Sequence, residues 1–384
     1  KYYNLYTTRN HLTACDGIEK DDSFKVGLIC LHDESSTYDK NFIDSMYRAL
    51  DELGLETSQL ELVTGIGEDE TCYQKASELA QTCDIVFADS FGHEDFMIQA
   101  AKENENVWFC HSTGTKAHTK NLDNYFNAFA SIYEGRYLAG ITAGMKLNEM
   151  IENGEITEAE AVMGYVGAFP YAEVVSGYTS FYLGAKSVCP SVTMKVRYTS
   201  SWYDYDKEKA AAEALVNTDN CVLISQHADS YGAPEACESL GVPNVAYNGS
   251  TASKCPETYL VASKIDWTPY YVEMIQAKMD GEEVSAKDYT GTLNTGSVKL
   301  DTLGKNVAEG TQEALDAAIA GLKNGTIHVF DTNNFTVNGE KLTSYLADVD
   351  DFGDYAPETE VIKDGYFHES EYRSAPYFDL RIDG

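Results

Sequence analysis

Short apolar runs alternate with segments of helical period along this chain, and the alternation runs through twice. Phe24-Lys-Val-Gly-Leu-Ile-Cys30 opens the first series, followed by Asp84–Ala88 and Val107–His111. Between and after them lie Asn41–Leu53, with Phe42, Met46, Leu50 and Leu53 on one face, then Tyr73–Ala80 and Glu94–Lys102. The second series reads strand at Val162–Val166, Thr193–Tyr198, Cys221–Ser225, Asn244–Tyr247 and Tyr259–Ser263. Its helices read at Ala172–Ser187, Lys207–Val216 and Gly232–Leu240. Unbroken apolar strands alternating with amphipathic helices predict parallel sheets covered on both faces. Two such series predict an α/β protein of two doubly wound, Rossmann-like lobes.

A long amphipathic segment at Ala128–Leu147, carrying Gly135, Gly140 and Gly144, joins the series. The expected organisation is an N-terminal arm over 1–23, a first lobe over 24–130, and a crossover helix with the second lobe over 131–267. A return segment over about 268–310 completes the first lobe, with Thr290–Leu300 read as a β-ribbon. A helix from Gly310 to Leu322 opens a tail over 311–384. Its Asn338-Gly339 and Asp364-Gly365 pairs signal tight turns, and the tail is expected to pack along the outside of a lobe.

Charge narrows the partners. Acids outnumber bases 62 to 28, for a net charge of −34, and so acidic a surface opposes nucleic-acid binding. No apolar run approaches the roughly 20 residues of a membrane span. Nine cysteines, an odd number without a CxxC pair or zinc-ligand spacing, predict buried thiols rather than a disulfide framework.

Catalytic signatures are missing. The turn after the first strand reads Leu31-His-Asp-Glu-Ser-Ser-Thr-Tyr38, where two carboxylates would repel a pyrophosphate. The sequence has no P-loop, no Gly-x-Ser-x-Gly elbow and no His-Glu-x-x-His pair. Instead, polar and aromatic residues follow the strands of both series, where ligands of doubly wound sheets sit. The candidates are Tyr38, Asp39, Phe42 and Phe91 in the first lobe. In the second they are Phe169, Trp202, Asp204, His227, Asp229, Asn248, Lys264 and Asp266. Aromatic rings can stack on a flat heterocycle while acids and amides read its edge. Phe42 reads equally as core, Asp204 as a helix cap, and Lys264 as a partner of Asp266. No catalytic residue, metal or cofactor is called for.

Six stretches carry a resemblance: Phe91-Gly-His-Glu-Asp-Phe96, Tyr133-Glu-Gly-Arg-Tyr-Leu-Ala-Gly-Ile-Thr-Ala-Gly144, Gly164-Tyr-Val-Gly-Ala-Phe-Pro170, Ser201-Trp-Tyr-Asp-Tyr-Asp-Lys207, Gln226-His-Ala-Asp-Ser230 and Lys264-Ile-Asp-Trp-Thr-Pro-Tyr-Tyr271. In order, they make the chain similar to the basic membrane protein (BMP) or PnrA-like substrate-binding lipoproteins of ABC importers. The resemblance implies a periplasmic-binding-protein type I fold and a purine held between an aromatic of each lobe. The matching positions are Tyr38 or Phe42 in the first lobe and Trp202 in the second. Asp39, Asp204, His227 and Asp229 would then read the base edge, and Phe91 would wall the pocket. It further implies a monomer lipid-anchored to the extracellular face of the membrane through an N-terminal cysteine since removed, delivering a purine base or nucleoside to a permease. Asn248 stands where many nucleoside binders carry an acid for the ribose, which favours a bare base. A clamp of this chemistry also admits a flavin or another heterocycle. A nucleoside-processing enzyme and a cytoplasmic sensor are the remaining readings.

Overall fold

A computed structural model describes residues 22–350 and 356–384, so the arm expected over 1–23 lies outside it but for its last two residues. Strands β1 (Val26–Ile29), β2 (Leu60–Val63), β3 (Ile85–Ala88), β4 (Trp108–Ser112) and β5 (Tyr125–Ala130) belong to the first sheet, with β11 (Asp288–Gly291). Its order is β11-β5-β4-β3-β1-β2, and every pairing is parallel. The second sheet holds β6 (Val162–Gly167), β7 (Thr193–Tyr198), β8 (Leu223–His227), β9 (Asn244–Tyr247), β10 (Tyr259–Ile265) and β12 (Val298–Leu300). Its order is β12-β10-β9-β8-β6-β7, parallel except where β12 runs against β10. Central strands such as β1, β3 and β8 are buried at every residue, because helices cover both faces.

Two strands of these six-stranded sheets are not apparent in the sequence pattern. Leu60–Val63 is an edge strand only half buried, so it lacks an apolar run. The last three residues of Tyr125–Ala130 fall in the Ala128–Leu147 segment that reads as amphipathic, whose helix α4 spans Ile132–Glu152. The Thr290–Leu300 ribbon does not form either. Asp288–Gly291 pairs with β5 in the first sheet, whereas Val298–Leu300 pairs with β10 in the second. The return segment therefore serves both lobes, and the chain passes between them three times: after β5, after β10 and between β11 and β12.

The glycines of α4 place it against α5 (Ala172–Val188). A methyl group on Gly140 would stand 2.0 Å from the Phe181 carbonyl, and one on Gly184 the same distance from that of Tyr137. The two helix backbones touch at this crossing, which no side chain allows. The tail binds both lobes. The Ser374 hydroxyl and amide donate to the carboxylate of Asp288 in the first sheet, while the Gly384 carbonyl accepts from Met194 in the second. Its Asn-Gly and Asp-Gly turns form as read, with positive φ at Asn338, Gly339, Asp364 and Gly365. All eight cysteines among the described residues are buried free thiols. No helix among those residues is long and apolar enough to cross a membrane.

Candidate ligand-binding site

The carboxyl ends of β1, β3 and β4 face those of β6 and β8 across the cleft between the lobes, and a cavity of about 330 Å³ lies there. Leu31, Tyr38, Ser90, Phe91 and Thr113 line it from the first lobe, and Glu173, Trp202, His227 and Asp229 from the second. Helix α1 (Thr37–Glu52) brings in Tyr38, whose hydroxyl donates to the Asp89 carbonyl at 2.6 Å and so fixes the ring. Ser36 caps that helix by accepting from the Asp39 amide.

Aromatic rings run in a continuous chain along the second lobe and over the mouth. Phe91 and Tyr171, both exposed, approach to 6.5 Å across the cleft; Tyr171 stacks on Phe169 at 5.0 Å, and Phe169 meets Trp202 edge-on at 5.2 Å. Trp202 then adjoins His227, which leans on Tyr247 at 4.3 Å. Phe169 thus backs the rings that touch the cavity.

The polar part of the lining is acidic. Asp229 is buried, and neither carboxylate oxygen has a hydrogen bond among the described residues. Burial holds this carboxyl well above the usual carboxylate range, and Asp39, Glu208, Glu173 and Glu68 push it further. His227 Nε2 lies 3.5 Å from Glu173. Burial lowers the imidazole despite that carboxylate, and the charge of Arg136 adds to the effect, so the ring is neutral near pH 7 and its N–H is directed to Glu173. Arg136 comes from α4, fully buried, with its guanidinium 4.8 Å from the Tyr247 ring and hydrogen-bonded to Tyr165 and, at 3.4 Å, to Ser263. Among the described residues it has no carboxylate partner, and burial pulls it down to about 10.

Tyr38, Phe91, Trp202, His227 and Asp229 therefore converge as the sequence suggested, but other candidates do not. Phe42 is fully buried and stacks on Trp267 at 4.5 Å, which makes it core and leaves Tyr38 as the first-lobe aromatic. Asp39 sits beneath the cavity rather than in it, accepting from the His32 amide and facing Asp89; burial and that neighbour hold the Asp89 carboxyl well above the usual carboxylate range. Asp204 caps helix α6 (Tyr205–Asn217) by accepting from the Lys207 amide. Lys264 reaches Asp301 at 3.4 Å, not Asp266; Asp266 is taken by Lys299 at 2.7 Å and Arg48 at 3.3 Å. Asn248 and Lys264 line a separate chamber between the lobes, of about 590 Å³. Sequence reasoning missed Glu173, Ser90 and Thr113. Glu173 follows the Phe169-Pro170 turn at the start of α5, and its place after a strand end was the available signal.

Comparison with known proteins bears on the family and the fold. The family model described as "ABC transporter substrate-binding protein PnrA-like" matches residues 26–332. A purine-binding protein of Brucella abortus is 30% identical over 77% of this chain and 83% of its own length. A putative ABC transporter glucose-binding protein of Haloferax volcanii is 32% identical over 75% of this chain and 69% of its own. Among solved structures, an ABC transporter solute-binding protein from Conexibacter woesei superposes with a TM-score of 0.64 at 19% identity, over 79% of this chain and 98% of that one. The fold is accordingly that of the periplasmic-binding-protein type I proteins. Matched over most of its length, the chain belongs to the PnrA-like (Bmp) family of ABC transporter substrate-binding proteins.

Proposed function

We propose that this substrate-binding protein captures a purine, and a free base in preference to a nucleoside, for delivery to the permease of an ABC importer. The observation that carries the reading is the makeup of the 330 Å³ cavity: aromatic rings from both lobes, with the carboxylates of Asp229 and Glu173 on its polar side. Stacking of a base on an aromatic side chain is worth about 1–3 kcal/mol, and ring N–H groups supply donors for the two carboxylates. The purine-binding relative supports the same ligand class. The family and fold are those of transporter solute-binding proteins, which are not enzymes. We place the chain on the extracellular face of the membrane, where a lipid anchor upstream of the arm would hold it beside its permease.

A thermal-shift screen tests the ligand class. Purine bases, nucleosides, flavins and glucose are each added at a thousandfold excess over a micromolar dissociation constant. A purine base is expected to stabilise the chain by about 4 kcal/mol. A shift given by glucose or a flavin with none from any purine would overturn the proposal.

A further inference from the structure

A backbone contact joins a residue of one inter-lobe chamber to a residue of the other. The Thr37 amide donates to the Asp229 carbonyl at 3.2 Å, and the Thr37 hydroxyl reaches the same oxygen at 3.5 Å. Asp229 lines the aromatic cavity, whereas Thr37 lines the larger chamber beside it. The contact joins the lobes, since Thr37 is the first residue of α1 and Asp229 follows β8. Neither side yields easily. The Asp229 amide is itself bound to the Trp202 carbonyl at 2.7 Å, and Thr37 is anchored by the Ser36 cap. The amide it uses is one of the helix-terminal N–H groups that have no partner inside the helix, so the second lobe satisfies it only when the clamp is shut.

The chamber beyond this contact is polar. Asn41, Lys264 and Asp301 line it, as does Asn248, which is buried and whose Nδ2 has no hydrogen-bond partner. Those groups suit hydroxyls.

We propose that the Thr37–Asp229 contact is a specificity wall: it admits a free base, excludes the same base carrying a sugar, and once broken opens the polar chamber to that sugar. The inference rests on the purine reading above. A glycosylated base must part the contact to seat its ring, which forfeits a hydrogen bond and clamp closure together. The loss corresponds to at least about tenfold in affinity.

Isothermal titration with adenine and adenosine tests it on wild type, Thr37→Pro and Thr37→Ala. Proline removes the amide, yet the first helical position tolerates it, and Ser36 already has the extended ψ of 128° that precedes a proline. Thr37→Ala keeps the amide and serves as the control. Wild type and Thr37→Ala are expected to bind adenosine at least about tenfold more weakly than adenine, and Thr37→Pro to bring the two within about threefold. Equal affinity for adenine and adenosine in the wild type overturns the wall without any variant. A preserved preference in folded Thr37→Pro overturns it too. If neither purine binds wild type while glucose or a flavin does, the ligand reading itself fails and takes the wall with it.

Discussion

Replacing Asp229 with Asn separates binding from folding with opposite signs. In the free protein this carboxyl is buried, unpaired and surrounded by four other acids, so its charged form is disfavoured. A carboxyl whose folded value lies above its unfolded one, near 3.9, stabilises least once pH has risen through the folded value. Asn cannot ionise, so the variant escapes that loss. Each pH unit by which the folded value exceeds the unfolded one is worth about 1.4 kcal/mol, so the variant is expected to be more stable than wild type by a difference that grows as pH rises above about 4. Binding goes the other way. A ring N–H donated to a carboxylate is worth about 1.5–3 kcal/mol, so the variant should bind its purine roughly 10- to 150-fold more weakly. Wild-type affinity should also rise with pH as Asp229 ionises, and that slope should vanish in Asp229→Asn. Calorimetric titration at pH 5.5 and 8, with urea unfolding of the free protein at both, measures all four quantities. Unchanged affinity would refute the edge-reading role. A fall in stability alongside affinity would show the carboxyl to be structural.

Three further outcomes are open to measurement. Trp202→Ala should weaken purine binding about 5- to 150-fold in the same titration, from a stacking loss of about 1–3 kcal/mol, and affinity equal to wild type would remove Trp202 from the site. Gly140→Ala should lower the urea midpoint, because its methyl would stand 2.0 Å from a backbone carbonyl; overpacking of this kind costs about 1–3 kcal/mol or more, and an unshifted midpoint would deny the close helix crossing. Burial pushes Glu208 and Glu369 up to about 7, so each favours the folded state below its unfolded value near 4.3 and loses that advantage as pH rises to about 7. Stability should therefore fall between pH 5 and 7.5, by up to about 3 kcal/mol per group; a flat or rising profile would contradict it.

Where the sequence was legible, one physical signal decided the matter. Buried parallel strands such as Val162–Gly167 must be apolar without interruption, and the helices covering them must be amphipathic, so both lobes could be read directly. Edge position hid Leu60–Val63, which shares its faces with solvent. The lobe exchange at residues 291–298 was hidden because strand partners across a hinge leave no local period. In the site, strand-end position located Tyr38, Phe91, Trp202, His227 and Asp229. It could not separate Phe42 from Tyr38, since only the packing of Trp267 against Phe42 shows which ring faces inward. Ion pairing was equally opaque: Asp266 lies two residues from Lys264, yet it pairs with Lys299 and Arg48, brought in from distant segments.

The central claim is that a purine base occupies the cavity between the lobes, and a crystal structure grown with the base giving the largest thermal shift tests it most directly. The expected density places the ring on Trp202, with its edge on Asp229 and the Thr37–Asp229 contact intact. A base bound elsewhere, with that cavity filled by another molecule, would contradict the account.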